Sequence, residues 1–258
     1  MLKAARALAD GYNVPANAHI ELEKNLPVAS GMGGGSADAA ATLRALVHLW
    51  GLTLSDQNIQ NVAHQIGHDL ETRKALDILF SSWRDDLDCE RMTKLALGLG
   101  ADVPVCLESR TVYMAGIGEQ LSLAPALPKV WVVLANPLTN VSTPAVFKAR
   151  TGDFSAPAPF AHAPKDAHEL VFELKQRRND LSPPARTLAP DIDVVINALE
   201  HQNDCLLARM SGSGATCFAL FSKQNAAIAA QFNLNQSHAD WWVQTAQLTD
   251  GLPIEKWL

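Results

Sequence analysis

Lys24-Asn-Leu-Pro-Val-Ala-Ser-Gly-Met-Gly-Gly-Gly-Ser-Ala-Asp38, continuing through Ala39 to Gly51, is the stretch that decides how this chain is read. Four of the five residues from Gly31 to Gly35 are glycine. Bare backbone of this kind turns sharply and brings N–H groups against a ligand that a Cβ would push away. Ala39, Leu43, Leu46, Val47 and Trp50 then recur at three- and four-residue spacing, and Gly51 stands where a C-terminal cap belongs, so the glycines open onto a helix. Ser36 or Asp38 is expected to cap its start. The unpaired N–H groups and partial positive charge of a helix N-terminus favour phosphate over neutral ligands.

Two better-known phosphate loops do not fit. A Walker A loop needs Lys-Ser/Thr after its last glycine, and here Gly35 is followed by Ser36-Ala37. A dinucleotide fingerprint is nearly supplied by Gly31, Gly33 and Ser36, but Glu23-Lys24-Asn25-Leu26-Pro27 is no buried strand, and no acidic residue follows at the right place. A flexible linker is the remaining alternative. The strongly patterned helix against the glycines speaks against it.

Composition sets the outer limits. The 258 residues suffice for one large or two smaller domains, and 48% hydrophobic content supports buried cores. A net charge of −6 argues against a general nucleic-acid or membrane-surface role, so an anionic ligand must be held locally. No apolar run approaches the ~20 residues of a membrane span, and the amphipathic start is no signal peptide. Cys89, Cys106, Cys205 and Cys217 form no metal-ligand pairing or disulfide scaffold and read as reduced thiols of a cytoplasmic protein. His64 and His68 stand four apart, but Gly67 interrupts them and no third ligand is evident, so no metal set is expected.

Along the chain, residues 2–9 read as a helix ending at Asp10-Gly11, and Ala18 to Glu23 alternates like a strand feeding the loop. Helices are expected near 55–66, 70–83 and 86–99. Leu97-Gly-Leu-Gly-Ala-Asp-Val-Pro-Val follows, and the Val103-Pro104 step is expected to hold extended backbone and present Asp102 from a fixed loop. A carboxylate so placed can accept the proton of an attacking hydroxyl; the alternative is an ordinary turn aspartate. Strands are expected at 111–115 and 129–135 with a turn at Gly116-Ile-Gly-Glu, and Thr143 before Pro144 reads as a helix cap. Residues 151–164 read as a mobile connection between halves, 166–178 and 191–201 as helices, and 205–221 as a strand, a Ser211-Gly-Ser-Gly turn and a strand.

Pro27-Val-Ala-Ser-Gly-Met-Gly-Gly-Gly-Ser-Ala-Asp-Ala-Ala resembles the central motif of the GHMP small-molecule kinases, Gly-Ala-Asp-Val-Pro resembles their base-bearing segment, and Met210-Ser-Gly-Ser-Gly-Ala-Thr-Cys-Phe resembles their third motif. Asn179-Asp180-Leu181 also fits. Where that family usually carries a second serine, this chain has Ala37. The resemblance implies an α/β (α+β two-layer) fold with an S5-like N-terminal domain over 1–135 and a ferredoxin-like C-terminal domain over 136–258. It implies an ATP-binding loop formed by Pro27, Val28, Ala29, Ser30, Gly31, Met32, Gly33, Gly34, Gly35, Ser36 and Ala37, and Asp102 as catalytic base. It places Thr143, Gly212, Ser213 and Gly214 near substrate or phosphate, with Thr143 as an ordinary cap equally open.

The triple glycine narrows the resemblance to the branch that uses ATP and Mg²⁺ to phosphorylate a hydroxyl of a cytidine diphosphate-linked methylerythritol in isoprenoid precursor biosynthesis. The implied partner is that small molecule, with no nucleic acid or membrane, and a homodimer is allowed. Homoserine or mevalonate kinases keep the loop but fit the combined motifs less well. The branch's N-terminal Ala-Lys-x-Asn-Leu and Asp-Gly-Tyr-His segments have no counterpart here, and Asp10-Gly-Tyr-Asn13 reads as a turn that imitates the second. The expectation is a member lacking roughly the first quarter of the usual domain, with an insertion at about 64–92. An inactive remnant that at most binds nucleotide is the reading from another class.

Overall fold

The computed structural model describes residues 1–28, 30–52 and 94–249. The chain divides into two compact units, one from Met1–Leu22, Ser36–Glu108 and Met114–Leu121, the other from Glu23–Gly35, Ser109–Tyr113 and Ser122 onward. Each has its own apolar core. Expected helices at 55–66 and 70–83, most of the one at 86–99, the insertion, Cys89 and the His64/His68 pair lie outside the described residues.

The first unit is helical at its centre. Helix α1 (Leu2–Tyr12) buries Ala4, Ala5 and Leu8 against Ala39, Ala40, Leu43 and Leu46 of α2 (Gly34–Leu49). Ala96, from the helical residues 94–99, and Val103 of α3 (Val103–Glu108) complete this cluster. Three sequence expectations are corrected here.

Helix α1 does not stop at Asp10-Gly11. It runs to Tyr12, because Asn13 takes the left-handed conformation (φ 53°) and its N–H closes onto the Ala9 and Asp10 carbonyls. Residues 18–23 are not a strand: the alternation is present, but among the described residues nothing pairs with them, and Ile20 instead packs against the helical core. Third, Val103-Pro104 is not extended. Both residues open helix α3, since proline is preorganised for a first helical turn and its missing N–H has no intrahelical partner there in any case.

Strands β1 (Val112–Ala115) and β2 (Gln120–Leu123) form a hairpin around the expected glycine turn. The second unit is built on an antiparallel sheet in the order β4 (Leu207–Met210), β5 (Cys217–Phe221), β3 (Trp131–Asn136), β6 (Trp242–Gln247). Val132 stands opposite Leu220 and Val133 opposite Ala219, while on the other side of β3 Val133 stands opposite Thr245.

Both faces of that sheet are covered, which explains why β3 reads as a nearly continuous apolar run. Val133, Ala135, Cys217, Ala219 and Phe221 pack with helices α7 (Asp191–Glu200) and α8 (Gln224–Ser237), and with Val146 of α4 (Thr143–Ala149). On the opposite face, Val132 and Leu220 pack with Leu170 and Val171 of α5 (Ala167–Lys175). Helix α6 (Ser182–Leu188) contributes Ala185 to the first of these cores. Burial pushes the Cys217 thiol up to about 12, with the charge of Asp193 adding to it, so this cysteine is an inert core residue.

The expected mobile connection at 151–164 is a further correction. It lies within the second unit and is tied down: Ser155 donates through N–H and hydroxyl to Asp180 (2.7 and 2.6 Å), and Arg177 donates to the Ala158 and Pro159 carbonyls. Among the described residues, no helix is long and apolar enough to cross a membrane.

Candidate active site

The glycine run is both loop and helix. Gly31 and Gly33 have positive φ (71° and 66°), and α2 begins at Gly34, so Ser36 and Asp38 lie inside the helix and do not cap it. The N–H groups of Gly34, Gly35 and Ser36 are therefore first-turn amides with no intrahelical acceptor. They stand at the positive end of a 16-residue helix. Around the position a Cβ of Gly35 would take, no atom of the described residues lies within 4 Å beyond its chain neighbours and its own helix backbone. Pro27 is half-buried, Val28 exposed and Ser30 buried; Ala29 lies outside the described residues. Met32 is half-buried and Ala37 exposed.

Gly31 meets a very different environment. Its carbonyl accepts from the Ser211 hydroxyl (3.1 Å), and the neighbouring Ser30 carbonyl accepts from the Thr216 N–H (3.3 Å). A Cβ on Gly31 would stand 2.6 Å from the Gly214 carbonyl oxygen. The sequence-separated loops 31–35 and 211–216 thus meet backbone to backbone within the second unit.

The 211–216 turn is held from below. Asn179 donates to the Met210 and Gly212 carbonyls (3.3 and 2.8 Å) and accepts from the Leu181 N–H, and buried Asn136 donates to Thr216 Oγ1 (2.8 Å). Thr143 joins the same turn, its hydroxyl 2.8 Å from that of buried Ser213. The reading of Thr143 as an ordinary cap fails, because Ser142 occupies the cap position and neither residue makes a side-chain cap bond.

In the first unit, Asp102 is exposed in the turn before α3, and its carbonyl accepts from the Cys106 N–H. Three features fix that turn. Val103 is buried under it. The Gly118 turn presses on it so closely that a Cβ on Gly118 would stand 2.1 Å from the Ala101 carbonyl oxygen. From α2, Arg44 donates to the Cys106 carbonyl (2.8 Å) and to that of Leu107, gripping the far end of α3. Burial lowers the Arg44 pKa, while burial and then the Asp102 charge raise that of the Cys106 thiol. Ser36 Oγ lies 3.9 Å from where a Cβ of Gly100 would be, so the first turn of α2 adjoins the segment that carries Asp102.

Lys24 is the residue sequence reasoning missed. Its ammonium lies 3.8 Å from the position a Cβ of Gly34 would occupy, beside the start of α2. The signal was only its place, three residues before Pro27.

The family model for the GHMP kinases N terminal domain matches residues 1–83, and that for the GHMP kinases C terminal matches 160–240. A protein of Paramagnetospirillum magneticum named 4-diphosphocytidyl-2-C-methyl-D-erythritol kinase is 45% identical over 248 residues, 96% of this chain and 75% of that protein. The chain belongs to the GHMP kinase family. A protein of the same name, from Rhodospirillum rubrum, is 44% identical and is spanned over 71% of its length. Among solved structures, a 4-(cytidine 5'-diphospho)-2C-methyl-D-erythritol kinase superposes with a TM-score of 0.65 at 26% identity, over 94% of this chain and 76% of that one. The α/β architecture expected from the sequence is that of the GHMP kinases.

Proposed function

We propose that this chain transfers the γ-phosphoryl group of ATP to a hydroxyl of 4-diphosphocytidyl-2-C-methyl-D-erythritol, in isoprenoid precursor biosynthesis. The observation that carries the reading is the free first turn of α2 beside the Asp102 segment, in a chain whose relatives of that name match over 96% of it. Phosphoryl transfer asks the protein chiefly for positioning, charge neutralisation and one proton acceptor.

In this reading the amides of Gly33 to Ser36 hold the ATP phosphates, and Lys24 adds positive charge at the same end of α2. Asp102 takes the proton of the attacking hydroxyl. Gly212, Ser213 and Gly214, with Thr143 hydrogen-bonded to Ser213, hold the 31–35 loop in shape from behind. Among the described residues no three His, Cys, Asp or Glu side chains cluster as a resident metal site. Mg²⁺ would arrive with the nucleotide, since this ion takes most of its ligands from phosphates and water, and Ser36 would be the protein hydroxyl to add one. When bound, Mg²⁺ neutralises charge developing on the transferred group. A cytoplasmic location and a homodimer are part of the proposal.

Asp102→Asn tests the assignment of the base. The expected result is a fall in kcat of about 10²–10⁴-fold with ATP affinity unchanged; a variant that keeps the parent rate overturns it.

A further inference from the structure

A cavity of about 680 Å³ opens in the second unit, between the segments that follow α4 and α5, helices α6 and α7, and strand β4. No residue of the 27–37 loop lines it. Five of the chain's eleven arginines do, namely Arg150, Arg177, Arg178, Arg186 and Arg209, although the chain as a whole carries a net charge of −6. Such a concentration of guanidinium groups needs a reason.

Four of the five have protein partners. Arg177 pairs with Glu173, Arg178 with Asp180 and Arg186 with Asp193. Arg150 donates to the Gly152 carbonyl and lies 3.6 Å over the Phe154 ring. Arg209 differs. It sits half-buried on β4 and, among the described residues, its side chain makes no hydrogen bond or ion pair, while burial pulls its pKa down. A half-desolvated guanidinium facing a cavity leaves its forked donors unmet.

We propose that this cavity binds a phosphorylated small molecule bearing hydroxyl groups, with Arg209 as the principal phosphate ligand. The guanidinium fork matches two phosphate oxygens at once, whereas Arg177, Arg178 and Arg186 are already neutralised by their carboxylate partners. The volume exceeds what a lone phosphate needs and falls within the range of small-molecule sites. Asp153 and Glu200, also on the wall, are the acceptors for the hydroxyls. Asn179 lines the same cavity and holds the Gly212 turn, so an occupant there abuts the support of the 31–35 loop. The site stands on these residues and not on the kinase reading.

Inorganic diphosphate is the probe, titrated calorimetrically into the purified chain with ADP present in excess to keep it from the 31–35 loop. Saturable binding is expected, weakened at least about tenfold in Arg209→Met and only partly in Arg209→Lys, with melting temperature and ADP affinity unchanged in both. Arg209→Lys serves alone should Arg209→Met not fold. Diphosphate that does not bind, or that binds the arginine variants as tightly as the parent, overturns the proposal. Failure of ADP itself to bind counts against the kinase reading alone, and the dependence on Arg209 is still read.

Discussion

Gly31 and Gly35 stand four residues apart in one glycine run and are glycine for opposite reasons. Gly31 has positive φ and touches protein: its missing Cβ makes room for the backbone of Gly214 and Ser211. Gly35 has ordinary helical backbone, and no other element of the described residues comes within 4 Å of where its Cβ would go. The first is required by the fold. The second has no such packing reason among the described residues, and in the proposed function it is the bare backbone that admits the ATP phosphates. A glycine-rich motif is thus two motifs, one that builds the loop and one that uses it.

The largest expected effect comes from filling the packed position. Gly31→Ala combines left-handed strain of ~1–2 kcal/mol with overpacking of ~1–3 kcal/mol, so urea unfolding should show a loss of about 3 kcal/mol. An unchanged midpoint would mean that the two loops do not meet in solution. Gly118→Ala extends the same logic to the Asp102 turn, where the new Cβ must displace Ala101. A shift near 1 Å at a reacting group costs about 10²-fold, so kcat should fall by that factor while ATP affinity holds.

Filling the open position acts the other way. Gly35→Ala should leave stability unchanged or raise it by ~0.5–1 kcal/mol, because alanine is the better helix former, yet weaken ATP binding about tenfold, or 1.4 kcal/mol. Loss of stability without loss of ATP affinity would erase the contrast between the two glycines. The smallest effect is a control remote from both. The Ser155 hydroxyl and N–H, and then Arg178, hold the Asp180 carboxyl down at about 2. With the folded value below the unfolded value of about 3.9, its contribution is present above pH ~4 and is lost as pH falls towards ~2. Asp180→Asn should lower stability modestly at neutral pH and flatten the acid limb in that window, so that the two stability curves converge towards pH ~2.

Much of this was legible in the sequence because the physics was local. The α2 stripe ends at Gly51 as read, with φ 57° and the Leu52 N–H closing onto the Val47 carbonyl. Strands β3, β4 and β5 stand where apolar runs meet turn residues. What failed depended on partners. Residues 18–23 alternate but have nothing to pair with, and α2 starts inside a run of residues with poor helix propensity because first-turn amides need no intrahelical bond. Helix α6 was hidden by Pro183-Pro184, which sit harmlessly in a first turn. Lys24 and Arg44 escaped notice because nothing near them in sequence announces where a long side chain will reach. Arg44 finds Cys106 across 62 positions.

The most direct test of the central claim is to incubate the purified chain with ATP, Mg²⁺ and 4-diphosphocytidyl-2-C-methyl-D-erythritol and follow phosphorus resonances. The account predicts ADP in step with a new phosphomonoester on the methylerythritol portion, absent when Asp102 is replaced by Asn. Phosphate released only to water, or no ATP consumed at any substrate concentration, would contradict it.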